Sequence, residues 1–128
     1  MPDFNELSRR ERQIMDLVFS LGEATVNQIA EGLPDPPTPM AVRRMMHILE
    51  EKKFLNRRQD GRQVTYLPVQ SKARAGVQAL QHVLDTFFGG AVDEALAAHF
   101  SKKQTVSLEQ FARMKALIEE SRKKGNNP

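Results

Sequence analysis

Two short stretches hold the residues whose types and spacing could do chemistry. "MAVRRMMHILEE" carries Met40, Ala41, Arg43, Arg44 and His47, and "LNRRQDGRQVTYLP" places Arg58, Gln59, Arg62 and Gln63 around an Asp-Gly pair. A guanidinium on a helix surface can make two hydrogen bonds to a guanine edge in the major groove, or pair with a phosphate, and residue type alone does not choose between them. Met40 and Ala41 have no hydrogen-bonding side chain, but either suits contact with a thymine methyl. Thr38 stands just ahead of them. Set against this, Arg43 and Arg44 would also keep an exposed helical face in water, and Arg57 and Arg58 could pair with acids of the chain itself. The placement of both groups within one short span favours contact with nucleic acid.

Charge distribution sharpens the point. The whole chain of 128 residues carries a formal charge of only +3. Between positions 43 and 62, however, Arg43, Arg44, Lys52, Lys53, Arg57, Arg58 and Arg62 oppose Glu50, Glu51 and Asp60, a local excess of 7 − 3 = +4. Basic character is therefore concentrated where the candidate contact residues lie.

Other chemistries find little support. His47, His82 and His99 are far apart, with no His-Glu-x-x-His pattern, no serine on an elbow and no phosphate-binding glycine loop. Asp93 and Glu94 are adjacent, so on a helix they point to different faces. The chain has no cysteine, which excludes disulfides and thiolate metal sites. An enzyme is not expected, nor is a metal or cofactor. The opening "MPDFNELSRRER" lacks a signal-peptide core, and no apolar run reaches the roughly 20 residues that span a bilayer. A cytoplasmic protein without membrane insertion is the expectation.

The elements that must position these residues are legible in outline. Ser8 and Glu11 have the spacing of a capping box, followed by Ile14, Met15, Leu17, Val18 and Leu21 at helical period and by Gly22 as a stop. A second, short helix should run from Thr25 toward Gly32, with Val26, Ile29 and Ala30 inward. Thr38 caps a third helix with Pro39 in its first turn, buries Val42, Met45, Met46 and Leu49, and should extend to about Lys53. Lys52 and Lys53 in its last turn suit the helix dipole. Asp60-Gly61 predicts a type I′ turn between strands near 55–59 and 62–67. Three helices and a hairpin describe a winged helix-turn-helix, in which the third helix enters the major groove and the hairpin is the wing.

Beyond residue 70 the pattern is helical again. "SKARAGVQALQHVLDTFF" aligns Val77, Leu80, Val83, Leu84, Phe87 and Phe88; Gly89-Gly90 breaks it; "AVDEALAAHF" and a helix capped by Ser107 follow. These faces, including Leu96, Phe100, Phe111, Met114, Leu117 and Ile118, are too apolar for so short an appendage to bury alone. A second copy is the simplest partner. The expected fold is thus mainly α: a winged helix-turn-helix domain over 1–70, then a helical dimerisation region over 71–128 with a polar tail.

From Leu7 to Arg122 the sequence resembles the penicillinase-repressor family of winged-helix regulators, the BlaI/MecI-like proteins. The resemblance rests on "LSRRERQIMDLVFSLGEATV", "AVRRMMHILEEKKFL", "QDGRQVTYLP" and "LDTFFGGAVDEALAAHFSKKQTVSLEQFARMKALIEE", in that order. It implies a homodimeric repressor that binds palindromic promoter DNA and whose C-terminal helices interlock. Family members generally carry a tyrosine or similar residue and then small hydroxyl residues where this chain has Pro39, Met40 and Ala41, so operator sequence does not carry over. In the best-known members a membrane sensor protease triggers a cut at an Asn-Phe bond, and the matching pair here is His99-Phe100. The C-terminal cysteines of the copper-responsive relatives are missing. A winged-helix protein-interaction module without specific DNA binding is the alternative, because fold does not fix function.

Overall fold

The computed structural model describes residues 3–102 and 105–126, and among them the chain forms six α-helices and one antiparallel hairpin. The expected architecture is present. Helix α1 spans Arg9–Leu21, α2 Val26–Gly32 and α3 Pro39–Glu51; strands β1 (Leu55–Asp60) and β2 (Gln63–Pro68) pair in the hairpin; α4 (Lys72–Phe88), α5 (Val92–Phe100) and α6 (Leu108–Asn126) follow. A single 3-10 turn over Phe4–Glu6, which helical periodicity is too coarse to register, precedes α1. No helix among the described residues is long and apolar enough to cross a membrane.

Each of the first three helices begins on a hydroxyl cap. Ser8 Oγ accepts from the Glu11 amide at 3.2 Å while Glu11 Oε1 accepts from the Ser8 amide at 2.8 Å, the reciprocal pair expected from the sequence. Thr25 does the same with Gln28, and the Thr38 hydroxyl accepts from the Ala41 amide. These bonds satisfy amides that have no partner inside the helix. At the far end of α1 Gly22, with φ of 86°, turns the chain into the next segment.

Apolar side chains at helical spacing then close on one another. Ile14, Met15 and Val18 of α1, Val26 and Ile29 of α2, and Val42, Met46 and Leu49 of α3 are buried together with Phe54, Leu55 and Tyr66. Met45, expected in the same stripe, lies at its edge and packs against this core. Ala24 joins the hairpin by exchanging two backbone hydrogen bonds with Tyr66, 2.9 and 2.8 Å long. Met46 is fully enclosed, so Met46→Ala should cost about 2–5 kcal/mol through lost contacts and a residual cavity. Chemical denaturation gives that value directly.

Three local details differ from expectation. The strand register pairs Asp60 with Gln63, so the two loop residues are Gly61 and Arg62, one position later than Asp60-Gly61. Gly61 alone of these has positive φ, 65°, which is the pattern of a type II′ turn and not of type I′, where both central residues would be left-handed. Helix α3 ends at Glu51, because Lys53 adopts a left-handed φ of 72° and the Phe54 amide bonds back to Leu49 O. Lys52, instead of merely facing the helix dipole, reaches across to Glu11, with Nζ to Oε2 at 2.9 Å.

That contact ties the end of α3 to the start of α1. Burial pushes the Glu11 carboxyl up, but the Ser8 amide, the Lys52 ammonium and the Ser8 hydroxyl together outweigh it and hold Glu11 below its ordinary 4.5. A carboxylate with a lowered folded-state pKa adds stability above its unfolded value and loses it as pH falls through the lowered one. Glu11→Gln should therefore be less stable than the parent at neutral pH, and the gap should narrow in denaturation curves taken at decreasing pH below about 4.5.

The chain divides into two compact units, 1–82 and 83–128, the second beginning within α4. In the first unit α4 is capped by the Ser71 hydroxyl, which accepts from the Arg74 amide. In the second, Gly89 and Gly90 both have positive φ and the Gly90 amide returns to Leu84 O, which ends α4 where the glycine pair suggests. Ser107 and Gln110 form a further capping box at α6.

Candidate nucleic-acid interface

Helix α3 offers one face to solvent. Met40, Arg43, Arg44 and His47 follow the i, i+3, i+4, i+7 spacing of a single helical stripe, opposite the buried Val42, Met46 and Leu49. Burial of the second set dictates exposure of the first. The entry to α3 is held by Arg10 of α1, whose guanidinium donates to Pro34 O at 2.8 Å and to Asp35 O at 3.2 Å. This clamp fixes the loop that leads to Thr38.

The exposed stripe forms one wall of an open cleft. Arg57, Arg62, Gln63, Val64 and Tyr66 of the hairpin and Thr25, Val26 and Asn27 at the start of α2 line the rest of it. Six of the sequence candidates are thereby gathered in one place: Met40, Arg43, Arg44, His47, Arg62 and Gln63. Thr38 is occupied as the α3 cap, and Ala41 is half-buried at the edge of the stripe. Arg58 and Gln59 do not line the cleft. Arg58 bonds to Glu23 and to Asp60, the latter at 2.9 Å, while Gln59 Nε2 donates to Gly61 O within the turn.

Ion pairing redistributes the basic charge. Lys52 is matched by Glu11, Arg58 by Glu23 and Asp60, and Arg57 Nε lies 3.6 Å from Glu50. The His47 ring sits between Glu50 and Glu51, at 3.6 and 3.1 Å. Arg43, Arg44 and Arg62 make no ion pair among the described residues, so the uncompensated charge of the cleft is theirs. All three line the same open cleft.

Asn27 and Arg57 are among the cleft residues that sequence reasoning did not select as contacts. The cap at Thr25 located the start of α2 but not the direction in which its first turn points. Arg57 was legible only as one of an adjacent pair; strand alternation puts it and Arg58 on opposite faces but does not say which face meets the cleft.

The hydrophobic residues assigned to dimerisation form a different kind of surface. In the first unit Val77 and Leu80 of α4 are exposed; in the second, Phe87 is 73% exposed and Leu96, Phe100, Phe111, Leu117 and Ile118 are also exposed. Leu84 is buried, with Phe88 and Met114 half-buried. His99 and Phe100 are the last two residues of α5, their rings in edge contact at 5.3 Å.

Three helices, a hairpin and an exposed basic stripe on the third helix define a winged helix-turn-helix regulator. The chain belongs to the penicillinase repressor family, whose sequence profile matches residues 7–120. Membership makes it a DNA-binding transcriptional repressor, not an enzyme. Among solved structures, MepR, a transcription regulator of the Staphylococcus aureus multidrug efflux pump MepA, superposes with a TM-score of 0.53 at 20% identity, covering 94% of this chain and 81% of that one. Reduced MarR from E. coli gives 0.50 at 14% identity, over 91% and 79% of the two chains. The DNA-binding domain of the repressor BlaI gives 0.48 at 22% identity, over 56% of this chain and 89% of its own. No curated protein matches the chain well enough to count as a relative. At these identities the likeness to MepR and MarR concerns the fold.

Proposed function

We propose that two copies of this chain bind a palindromic promoter operator, each laying the Met40, Arg43, Arg44, His47 face of α3 in a major groove. The hairpin then follows the adjacent backbone through Arg62 and Gln63. The observation that carries this reading is the cleft itself: the arginines that make no ion pair among the described residues share it with the exposed stripe of α3. Arg57 and Asn27 join the contact set, whereas Arg58 braces the hairpin against Glu23.

Dimerisation falls to α4, α5 and α6. A second unit in which Leu84 is the buried hydrophobic side chain among described residues has too small a core of its own, and a second copy supplies the missing cover. Two-fold pairing would set the recognition helices on half-sites about 10 bp, or a multiple of it, apart. The protein acts in the cytoplasm, where its operator is. Release through a membrane sensor protease would require a cut at His99-Phe100, and the last turn of α5 must unwind before that bond can be presented in extended form.

Footprinting on DNA upstream of its own gene and the neighbouring genes tests the proposal. A protected, two-fold symmetric site is the expected result. A folded, dimeric protein that protects nothing would point instead to a protein-docking role for the same face.

A further inference from the structure

A second cavity, of about 360 Å³, lies within the first unit, at the base of the hairpin. We propose that it is a binding site for a small aromatic carboxylate, held between the rings of Phe4 and Phe54 and the cationic groups of Lys53 and Arg74, with the Gln70 amide as a further donor. Its volume is at the lower end of the roughly 300–1,000 Å³ typical of small-molecule pockets.

The chemistry of the lining selects the ligand class. Phe4 and Phe54 lie 5.0 Å apart with planes inclined at 59°, and Val69 adds to the apolar surface. A flat ring would cover surface that a compact ion such as phosphate would leave wet. Lys53 and Arg74 line the same cavity, no carboxylate does, and neither cation has an ion pair among the described residues. Cationic ligands are disfavoured and a single negative charge is matched. Gln70 Nε2 is enclosed and has no hydrogen-bond partner among the described residues, a costly state that an incoming oxygen would relieve.

The backbone around the cavity is firmly set. Lys53 holds its left-handed φ of 72° in a position that usually falls to glycine, and such departures cluster at functional sites. The Phe54 amide is bonded to Leu49 O, and the Val69 amide to Phe54 O at 3.0 Å. Because Lys53 and Phe54 join α3 directly to β1, a bound ligand is placed to bias the geometry between recognition helix and wing. That consequence rests on the DNA reading above; the binding does not.

Calorimetric titration of the full chain with benzoate, in the absence of DNA, is the test, with benzamide as an uncharged ring of the same size. Benzoate should saturate one site per chain, and benzamide should bind at least about tenfold more weakly because it lacks the charge. Lys53→Gln and Arg74→Gln, both changes at the protein surface that should retain the parental Tm, should each weaken benzoate by about fivefold or more. Benzoate should also shift the aromatic proton resonances of Phe4 and Phe54. Absence of saturation up to the solubility limit, equal binding of benzamide, unchanged affinity in both variants, or shifts confined to other residues would each overturn the assignment.

Discussion

An Arg43→Ala, Arg44→Ala double variant is expected to fold as the parent does and to lose roughly 100-fold in operator affinity, from two contacts of about 1–2 kcal/mol each. Both side chains are exposed and make no ion pair among the described residues, so neither holds the fold together. Both share the Met40 and His47 face and line the cleft. The two roles open to an arginine can then be separated with single variants. One that reads a base should lose affinity for the correct operator and relax preference at one position, while one that meets phosphate should lose affinity for every duplex and reduce the salt dependence. Fluorescence anisotropy on operator and scrambled duplexes distinguishes them. Arg58→Ala is the control on the same hairpin: its guanidinium is engaged by Glu23 and Asp60, outside the cleft, so operator affinity should change far less.

A comparable loss should follow from Phe87→Asp, by a different route. Phe87 is 73% exposed on a helix whose apolar side continues through Val77 and Leu80. Burying a phenylalanine against a partner is worth about 1.5–3 kcal/mol. In a two-fold interface the same position occurs twice, so the change should weaken dimerisation by about 3–6 kcal/mol, or about 10²- to 10⁴-fold, before the desolvation of two carboxylates is added. Light scattering at micromolar concentration should find a dimer for the parent and a monomer for the variant. Operator binding should fall with it, because one recognition helix alone reads a single half-site. A parent chain that is itself monomeric would remove the basis for assigning α4 to α6 to an interface.

The outline of the fold was legible because its first half follows local rules without conflict. Ser8, Thr25 and Thr38 each announce a helix start by side-chain chemistry, and the helical spacing of Ile14, Met15 and Val18 or of Val42, Met46 and Leu49 leaves one solution for which side faces inward. Turn and register were less secure. An Asp-Gly pair suits a type I′ turn at its own position, but Asp60 is paired with Gln63 in the ladder and the loop residues are Gly61-Arg62, with Gly61 taking the left-handed first position. Arg57, in the cleft, and Arg58, outside it, are neighbours in β1 and so point to opposite faces of the hairpin. Pairings between residues distant in sequence, such as Lys52 with Glu11 and Arg58 with Glu23, were not legible at all, since charge type fixes no partner.

The most direct measurement of the central claim is the affinity of the parent protein for the footprinted duplex as a function of salt concentration. Among the described residues three arginines of the cleft make no ion pair, so a dimer that neutralises about six phosphates should show log affinity falling with log salt at a slope near −5. The Arg43→Ala, Arg44→Ala variant should flatten that slope to the extent that these arginines meet phosphate. A slope near zero, or one that the double substitution leaves unchanged together with the affinity, would contradict the assignment of the α3 face and its cleft to DNA.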